Sequence, residues 1–252
     1  MLVIERNIDF VAVNFVDMVI IIPAFNEGER IGAVIASVLA LGKVVVVDDG
    51  SADDTGAVAR GGGAVVLRHV INRGQGAALQ TGMEFALRIL QAEVIAHFDA
   101  DGQMRSEDLE RAGLSLQEQG EGIVLGSRFL GSTALEPTAL EPTALKPTEQ
   151  GMTFSRLLVL QGGLIFTKIF SGVAVTDTHN GLRVMTAETA KKLKLTLDRM
   201  AHASEILDLI KVHEIKLSEV PIVVSYRIDK VGQSNWGMFP IVRDLLKKRL
   251  IG

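Results

Sequence analysis

Five short apolar runs in the first half of the chain restrict its fold more than any other feature. They are Val19–Pro23, Val44–Val47, Ala64–Leu67, Glu93–Phe98 and Ile123–Leu125. Each is short for a helix and carries little alternation, which is the pattern of a strand buried on both faces. Between them the apolar spacing becomes helical: Ile31, Val34, Ile35, Val38 and Leu39 share one face, and Gly76–Leu90 and Ser106–Gln119 read as helices. Asn26 stands three residues before Glu29, which predicts a capping box, and Ser51 with Asp54 marks another helix start. Strands that alternate with helices predict an α/β fold, a Rossmann-like, mostly parallel sheet flanked by helices. Residues 1–17 fall outside this rhythm and read as an N-terminal extension or an edge strand. Residues 18–252 are expected to form a single domain. Residues 133–147 repeat Thr-Ala-Leu-Glu-Pro twice and then Thr-Ala-Leu-Lys-Pro. A proline every fifth residue blocks a regular helix, so residues 131–150 read as a loop insertion.

Composition removes several functions. A net charge of −4 argues against a nucleic-acid partner. With 0 cysteines, thiolate catalysis and cysteine-bound zinc are excluded. No secretory leader is evident, and the longest apolar stretch, from Phe154 to Val175, is interrupted by Arg156, Gln161, Gly162, Gly163 and Lys168. The expected location is therefore the cytoplasm, either free or peripheral at the inner face of the membrane.

Ligands of open α/β sheets bind beyond the carboxyl ends of the strands. There, directly after the fourth run, stands Asp99-Ala100-Asp101-Gly102-Gln103. Two carboxylates and an amide oxygen, from Asp99, Asp101 and Gln103, form a hard-oxygen set for Mg²⁺ or Mn²⁺. Such an ion usually completes its shell with substrate phosphate oxygens, so the segment points to a phosphate-bearing donor. Asp48 and Asp49 end the second run, where a carboxylate can accept hydrogen bonds from ribose hydroxyls or base N–H groups. Gly74 and Gly76 open the third helix and allow backbone to approach an anion. No Gly-Lys-Ser/Thr follows, so this is not a Walker A loop.

These segments, with Ile22-Pro23-Ala24-Phe25-Asn26-Glu27, Gly126-Ser127-Arg128 and Asp177-Thr178-His179-Asn180-Gly181-Leu182-Arg183, resemble the family 2 glycosyltransferases of GT-A fold. Within them the chain is similar to the branch around dolichyl-phosphate mannose synthase and the bacterial polyprenyl-phosphate glycosyltransferases. The resemblance spans roughly Met18 to Trp236. It implies a nucleotide diphosphate sugar as donor, with Pro23, Phe25, Glu27, Asp48 and Asp49 around the nucleoside, Gly76 at a donor-binding helix start and Asp99, Asp101 and Gln103 at the metal. It also implies Arg128 and Arg183 as phosphate ligands, since a guanidinium binds phosphate in a bidentate way. Glu205 matches an acid ahead of the Glu219-Val220-Pro221-Ile222 segment. Arg227 and Ser234 match a loop that closes over the diphosphate. Many relatives carry Lys at the position of Gln75, and His at that of Met104.

The reaction implied is sugar transfer with inversion at the anomeric carbon; the alternative is a regulatory module that binds the nucleotide sugar without turnover. A hydroxyl acceptor requires a general base, for which Asp177 and Glu205 are the candidates, and a phosphate acceptor does not. A lipid phosphate at the membrane surface is the expected acceptor. Phe154–Phe170 and Trp236–Leu250 interleave apolar and basic residues, as an anionic interface requires; the alternative is helices packed on the sheet or on a second subunit.

Overall fold

The structure is a computed structural model that describes residues 18–130, 175–178, 180–196 and 202–224. The N-terminal segment, the proline repeat and both amphipathic stretches lie outside the described residues. The elements are β1 (Met18–Ala24), α1 (Gly28–Val38), β2 (Lys43–Asp48), α2 (Thr55–Gly61), β3 (Val65–Arg68), α3 (Gln75–Arg88), β4 (Val94–His97), α4 (Ser106–Gln119), β5 (Ile123–Ser127), β6 (Arg183–Thr186), α5 (Ala187–Lys192), α6 (His202–Val212) and β7 (Leu217–Pro221).

The strands form a 7-stranded sheet in the order β3-β2-β1-β4-β6-β5-β7. All neighbours run parallel except at β6, which is antiparallel to β4 and to β5. The expected mostly parallel sheet is present, and its reversed strand comes from the second half of the chain. Sequence patterning marks Arg183–Thr186 and Leu217–Pro221 only as motifs, because four or five residues beside a ligand-binding turn carry too little alternation to declare a strand.

Side chains alternate across the pleat, so the sheet buries two layers. Ile20, Ile22, Val44, Val46, Ala96, Phe98, Val124 and Val184 pack with Ile31 and Ile35 of α1 and Leu109 and Leu116 of α4. Val19, Ile21, Val45, Val47, Ile95, Leu125 and Met185 pack with Leu79 and Met83 of α3 and Ile206 and Ile210 of α6. Each fully buried aliphatic side chain contributes roughly 1.5–3 kcal/mol. Helix α3 comes close to β1 because position 82 has no side chain: a Cβ on Gly82 would lie 2.4 Å from Cγ2 of Ile21.

The expected capping box at α1 is absent. Asn26 adopts φ 56°, its N–H donates to Ser51 Oγ at 3.0 Å and its Oδ1 accepts the Ala52 N–H at 2.8 Å. Asp54 precedes α2 without a side-chain cap. Asp53 serves both helix starts instead, accepting the Gly28 N–H on Oδ2 and the Thr55 N–H on Oδ1, both at 3.0 Å. The reason is tertiary. β1 and β2 are neighbours, so the turns that leave them lie side by side and bond to each other rather than each to its own helix. Among the described residues no helix is long and apolar enough to cross a membrane.

Candidate functional site

A cleft of about 120 Å³ opens beyond the carboxyl end of β4. Asp99, Asp101, Gln103 and Met104 follow β4, Arg128 follows β5, Asn180 and Gly181 precede β6, and Val224 follows β7; together they line it. The reversed strand explains the grouping. Because β6 runs against its neighbours, the residues that lead into it stand at the same end of the sheet as the residues that leave β4 and β5.

The acid pair is the centre of the cleft. Burial and then the Asp101 charge push the Asp99 carboxyl up to about 6, against the opposing pull of Arg183 and of a hydrogen bond from Gln75. Gln75 Nε2 donates to Asp99 Oδ1 at 3.1 Å. The other oxygen lies against the backbone of Gly181, where a Cβ would come within 2.1 Å of Oδ2. Asp101 Oδ1 accepts the Gln103 N–H at 3.0 Å, across Gly102 at φ 73°. Among the described residues no three His, Cys, Asp or Glu side chains converge as a metal cage. Two carboxylates, with burial and then their mutual repulsion raising the Asp99 pKa and an amide beside them, fit a divalent ion that draws its remaining ligands from water or phosphate.

Behind the acids lie two arginines with different surroundings. Arg128 Nε and Nη2 grip Asp177 Oδ2 and Oδ1 at 2.6 and 2.9 Å, and the Arg128 N–H donates to Oδ2 at 3.2 Å. Glu219 on β7 fixes this pair, since both its carboxylate oxygens accept the Thr176 N–H, at 2.9 and 3.0 Å. Ser127 and Thr176 share a hydroxyl hydrogen bond of 2.6 Å. Arg183 is buried beneath the cleft and does not line it. It stands in register with His97, and among the described residues neither Arg183 Nη1 nor either His97 ring nitrogen has a hydrogen-bond partner. Burial lowers the pKa of both groups; the charges of Arg183 and His202 lower that of His97 further, while Asp99 and Asp177 hold Arg183 up.

The expected base candidates are engaged inside the fold. Asp177 is nearly buried under Arg128. Glu205, also buried, accepts the Thr196 N–H on both oxygens, at 3.1 and 3.0 Å, and the Thr196 hydroxyl at 2.6 Å. Glu205 lies away from the cleft lining and fastens the chain that follows α5.

At the ends of β1 and β2 the expected nucleoside residues divide into two groups. Phe25 is 45% exposed, Pro23 is half-buried in β1, and Glu27 pairs with Arg30. Asp48 and Asp49 are buried. Asp48 Oδ1 accepts the Ser51 N–H at 2.9 Å. Asp49 accepts the N–H groups of Arg73 and Gly74 at 2.9 and 2.6 Å and bonds the His69 ring at 2.6 Å. It therefore braces the loop that carries Gly74 and Gly76. Arg227, Ser234 and His179 lie outside the described residues. Sequence reasoning missed the roles of Gln75, Asn180 and Glu219. All three stand inside segments it had singled out, so position signalled them while their partners did not.

The family model described as Glycosyl transferase family 2 matches residues 19–174. An uncharacterised protein of Methanocaldococcus jannaschii is 34% identical over 226 residues, covering 88% of this chain and 87% of that protein. A UDP-N-acetylglucosamine–dolichyl-phosphate N-acetylglucosaminyltransferase of Methanococcus voltae is 27% identical over 228 residues, covering 82% of this chain and 85% of its own length. Among solved structures, glucosyl-3-phosphoglycerate synthase of Mycobacterium tuberculosis, in complex with Mn²⁺, uridine diphosphate and glucosyl-3-phosphoglycerate, superposes with a TM-score of 0.63 at 17% identity, covering 91% of this chain and 77% of that one.

Proposed function

The chain belongs to glycosyl transferase family 2, and on that premise we propose that it moves a sugar from a nucleotide diphosphate sugar to a polyprenyl phosphate, with a divalent cation and with inversion at the anomeric carbon. The acceptor oxygen forms the new bond to the anomeric carbon from the face opposite the leaving diphosphate, whose oxygen departs with the electron pair. Asp99 and Asp101, with Gln103, would hold Mg²⁺ or Mn²⁺, which would supply charge neutralisation to the leaving diphosphate. Arg128 faces the same diphosphate, aimed by Asp177 and Glu219. Arg183 supplies a fixed positive charge below the acids. The nucleoside lies over Pro23 and Phe25 beside Glu27, on turns that Asp48 and Asp49 hold in place.

One observation carries the choice of acceptor. Asp177 is bonded bidentately to Arg128, and Glu205 to Thr196. Neither lines the cleft, and the two carboxylates that do among the described residues, Asp99 and Asp101, are assigned to the metal. Among the described residues the cleft thus offers no carboxylate as general base, which favours an acceptor that arrives already anionic. A phosphate meets that requirement, and the relative from Methanococcus voltae is named for a dolichyl-phosphate acceptor. Such an acceptor sets the working place at the inner membrane surface.

The test is direct. The purified protein is incubated with Mn²⁺, a panel of nucleotide sugars and a short-chain prenyl phosphate, and the anomeric configuration of the product is read by NMR. Transfer to the phosphate with inversion is expected. Transfer to a sugar or protein hydroxyl, with none to the phosphate, would overturn the acceptor assignment. A thermal-shift screen of nucleoside diphosphates with Mn²⁺ identifies the base, because ligands of the folded state raise the melting temperature.

A further inference from the structure

The loop between β3 and α3 reads Arg68-His69-Val70-Ile71-Asn72-Arg73-Gly74. It is pinned at both ends. The His69 N–H donates to the Asp48 carbonyl at 2.9 Å, and the His69 ring bridges Asp49 Oδ1 at 2.6 Å and Thr81 Oγ1 at 2.9 Å. Asp49 takes the N–H groups of Arg73 and Gly74 at the other end. Under the tip, the Gly50 backbone fits so closely that a Cβ there would lie 2.9 Å from Ile71 C and Asn72 N.

Fixing a loop costs conformational entropy that its contacts must offset. What this fixed loop holds outward is apolar. Val70 is 98% exposed, the largest value for any large apolar side chain among the described residues, and its neighbour Ile71 is 69% exposed. Among the described residues no other two such exposed residues are adjacent in sequence. The flanking Arg68 and Arg73 are also exposed, and positions 68–74 hold no acid. Arg68 spends part of its reach on Asp48 and on the Ser51 carbonyl.

The loop leaves the carboxyl end of β3, the same end of the sheet as Asp99. β2 and β1 lie between β3 and β4, so the prong stands about 14 Å from the acids at the usual strand spacing. A stable protein interface needs roughly 800 Å² from each partner, far more than two side chains supply. A shallow apolar wedge flanked by cations suits the headgroup region of an anionic bilayer.

We propose that this loop is a membrane-surface anchor: Val70 and Ile71 enter the headgroup–acyl boundary of an anionic membrane, Arg68 and Arg73 meet lipid phosphates, and the cleft is thereby set against the surface that carries its acceptor. The proposal rests on the lipid-phosphate reading for its purpose, but its test is independent of it.

The full-length protein is co-sedimented with vesicles of phosphatidylcholine alone and of phosphatidylcholine mixed with phosphatidylglycerol. Wild type is expected on the anionic vesicles, with binding that weakens as salt rises. The double variant V70S/I71S is expected to bind them at least about tenfold more weakly at an unchanged melting temperature, because the side chains make their contacts outside the fold. R73Q is expected to weaken binding severalfold and to flatten its salt dependence. Transfer to a water-soluble short-chain prenyl phosphate stays unchanged in V70S/I71S, while transfer to the same headgroup embedded in vesicles falls. Wild-type binding retained in V70S/I71S would overturn the anchor, as would no vesicle binding by wild type at low salt. Loss of self-association in place of vesicle binding would overturn it in favour of a contact between copies. If no prenyl phosphate is glycosylated but V70S/I71S still releases the protein from vesicles, the acceptor reading fails and the anchor stands.

Discussion

Asp99 is held on one side by the Gln75 amide and on the other by the Gly181 backbone, with its carboxyl raised to about 6 by burial and by Asp101. In the unfolded chain it titrates in the ordinary carboxylate range. The folded state therefore binds this proton more tightly, and the stability it contributes is present below the ordinary range and lost as pH rises through about 6. In the proposed site a metal would compete for the same oxygen, so its affinity would run the other way. Mn²⁺ binding to the donor-free protein, followed by loss of the free-ion EPR signal, should be flat above about pH 7 and fall by up to about tenfold per pH unit below about 6. An affinity unchanged to about pH 5 would remove Asp99 from the metal shell. Asp101→Ala should abolish Mn²⁺-stimulated turnover, at least about a hundredfold, with a stability change under about 1 kcal/mol because the side chain is only half-buried. Near-normal turnover in that variant would contradict the assignment. The acid pair was legible in the sequence because its chemistry is local: a strand, a turn and two carboxylates one residue apart. Its surroundings were not. Gln75 and Gly181 reach Asp99 only through the fold, and Asp177 reads as a base in sequence while Arg128, far along the chain, already holds it.

Helix α4 shows what local signals can fix. Ser106, Glu107 and Asp108 open it, Gly120 at φ 79° ends it, and its expected bounds of Ser106 and Gln119 are those observed. The start of α1 shows the opposite, because Asn26 is recruited by Ser51 and Ala52 of the neighbouring turn. Strand β6 is the element sequence could not announce. Four residues sit between β4 and β5 in reverse, and the turn before them walls the acids. That geometry predicts an outcome for Gly181→Ala. The new methyl would lie 2.1 Å from Asp99 Oδ2, so the carboxylate must move. Overpacking of this kind costs about 1–3 kcal/mol, and Mn²⁺ affinity should fall with it. Calorimetric titration that finds wild-type affinity would show that the Asp99 carboxylate is free to turn. The half-buried Arg128–Asp177 pair gives a second case. Asp177→Ala leaves a partly exposed guanidinium without its partner and should cost about 1–3 kcal/mol, read as a lowered denaturation midpoint.

For the whole molecule, we propose that residues 18–252 act as one domain with 131–150 as an inserted loop. Excision of 133–147 should then leave a single cooperative unfolding transition and change stability by no more than about 1 kcal/mol, since loop-closure entropy varies slowly with length. A lost or split transition would show that the repeat belongs to the core. The order of the sheet has a further consequence, in time rather than space. Strands β1 to β4 follow one another in the chain and pair with one another, so they can assemble as soon as they are made. β5 finds its partners only when β6 and β7 arrive from beyond residue 174. Long-range pairings form late, so on the ribosome the two aspartates emerge well before the wall that gives them a cleft. In pulse-labelled hydrogen exchange during refolding, amides of β1 and β2 should gain protection before those of β6. A nascent chain paused before β6 would carry the acid motif with no capacity to keep an ion or a donor, and activity would switch on only with the strand that closes the sheet.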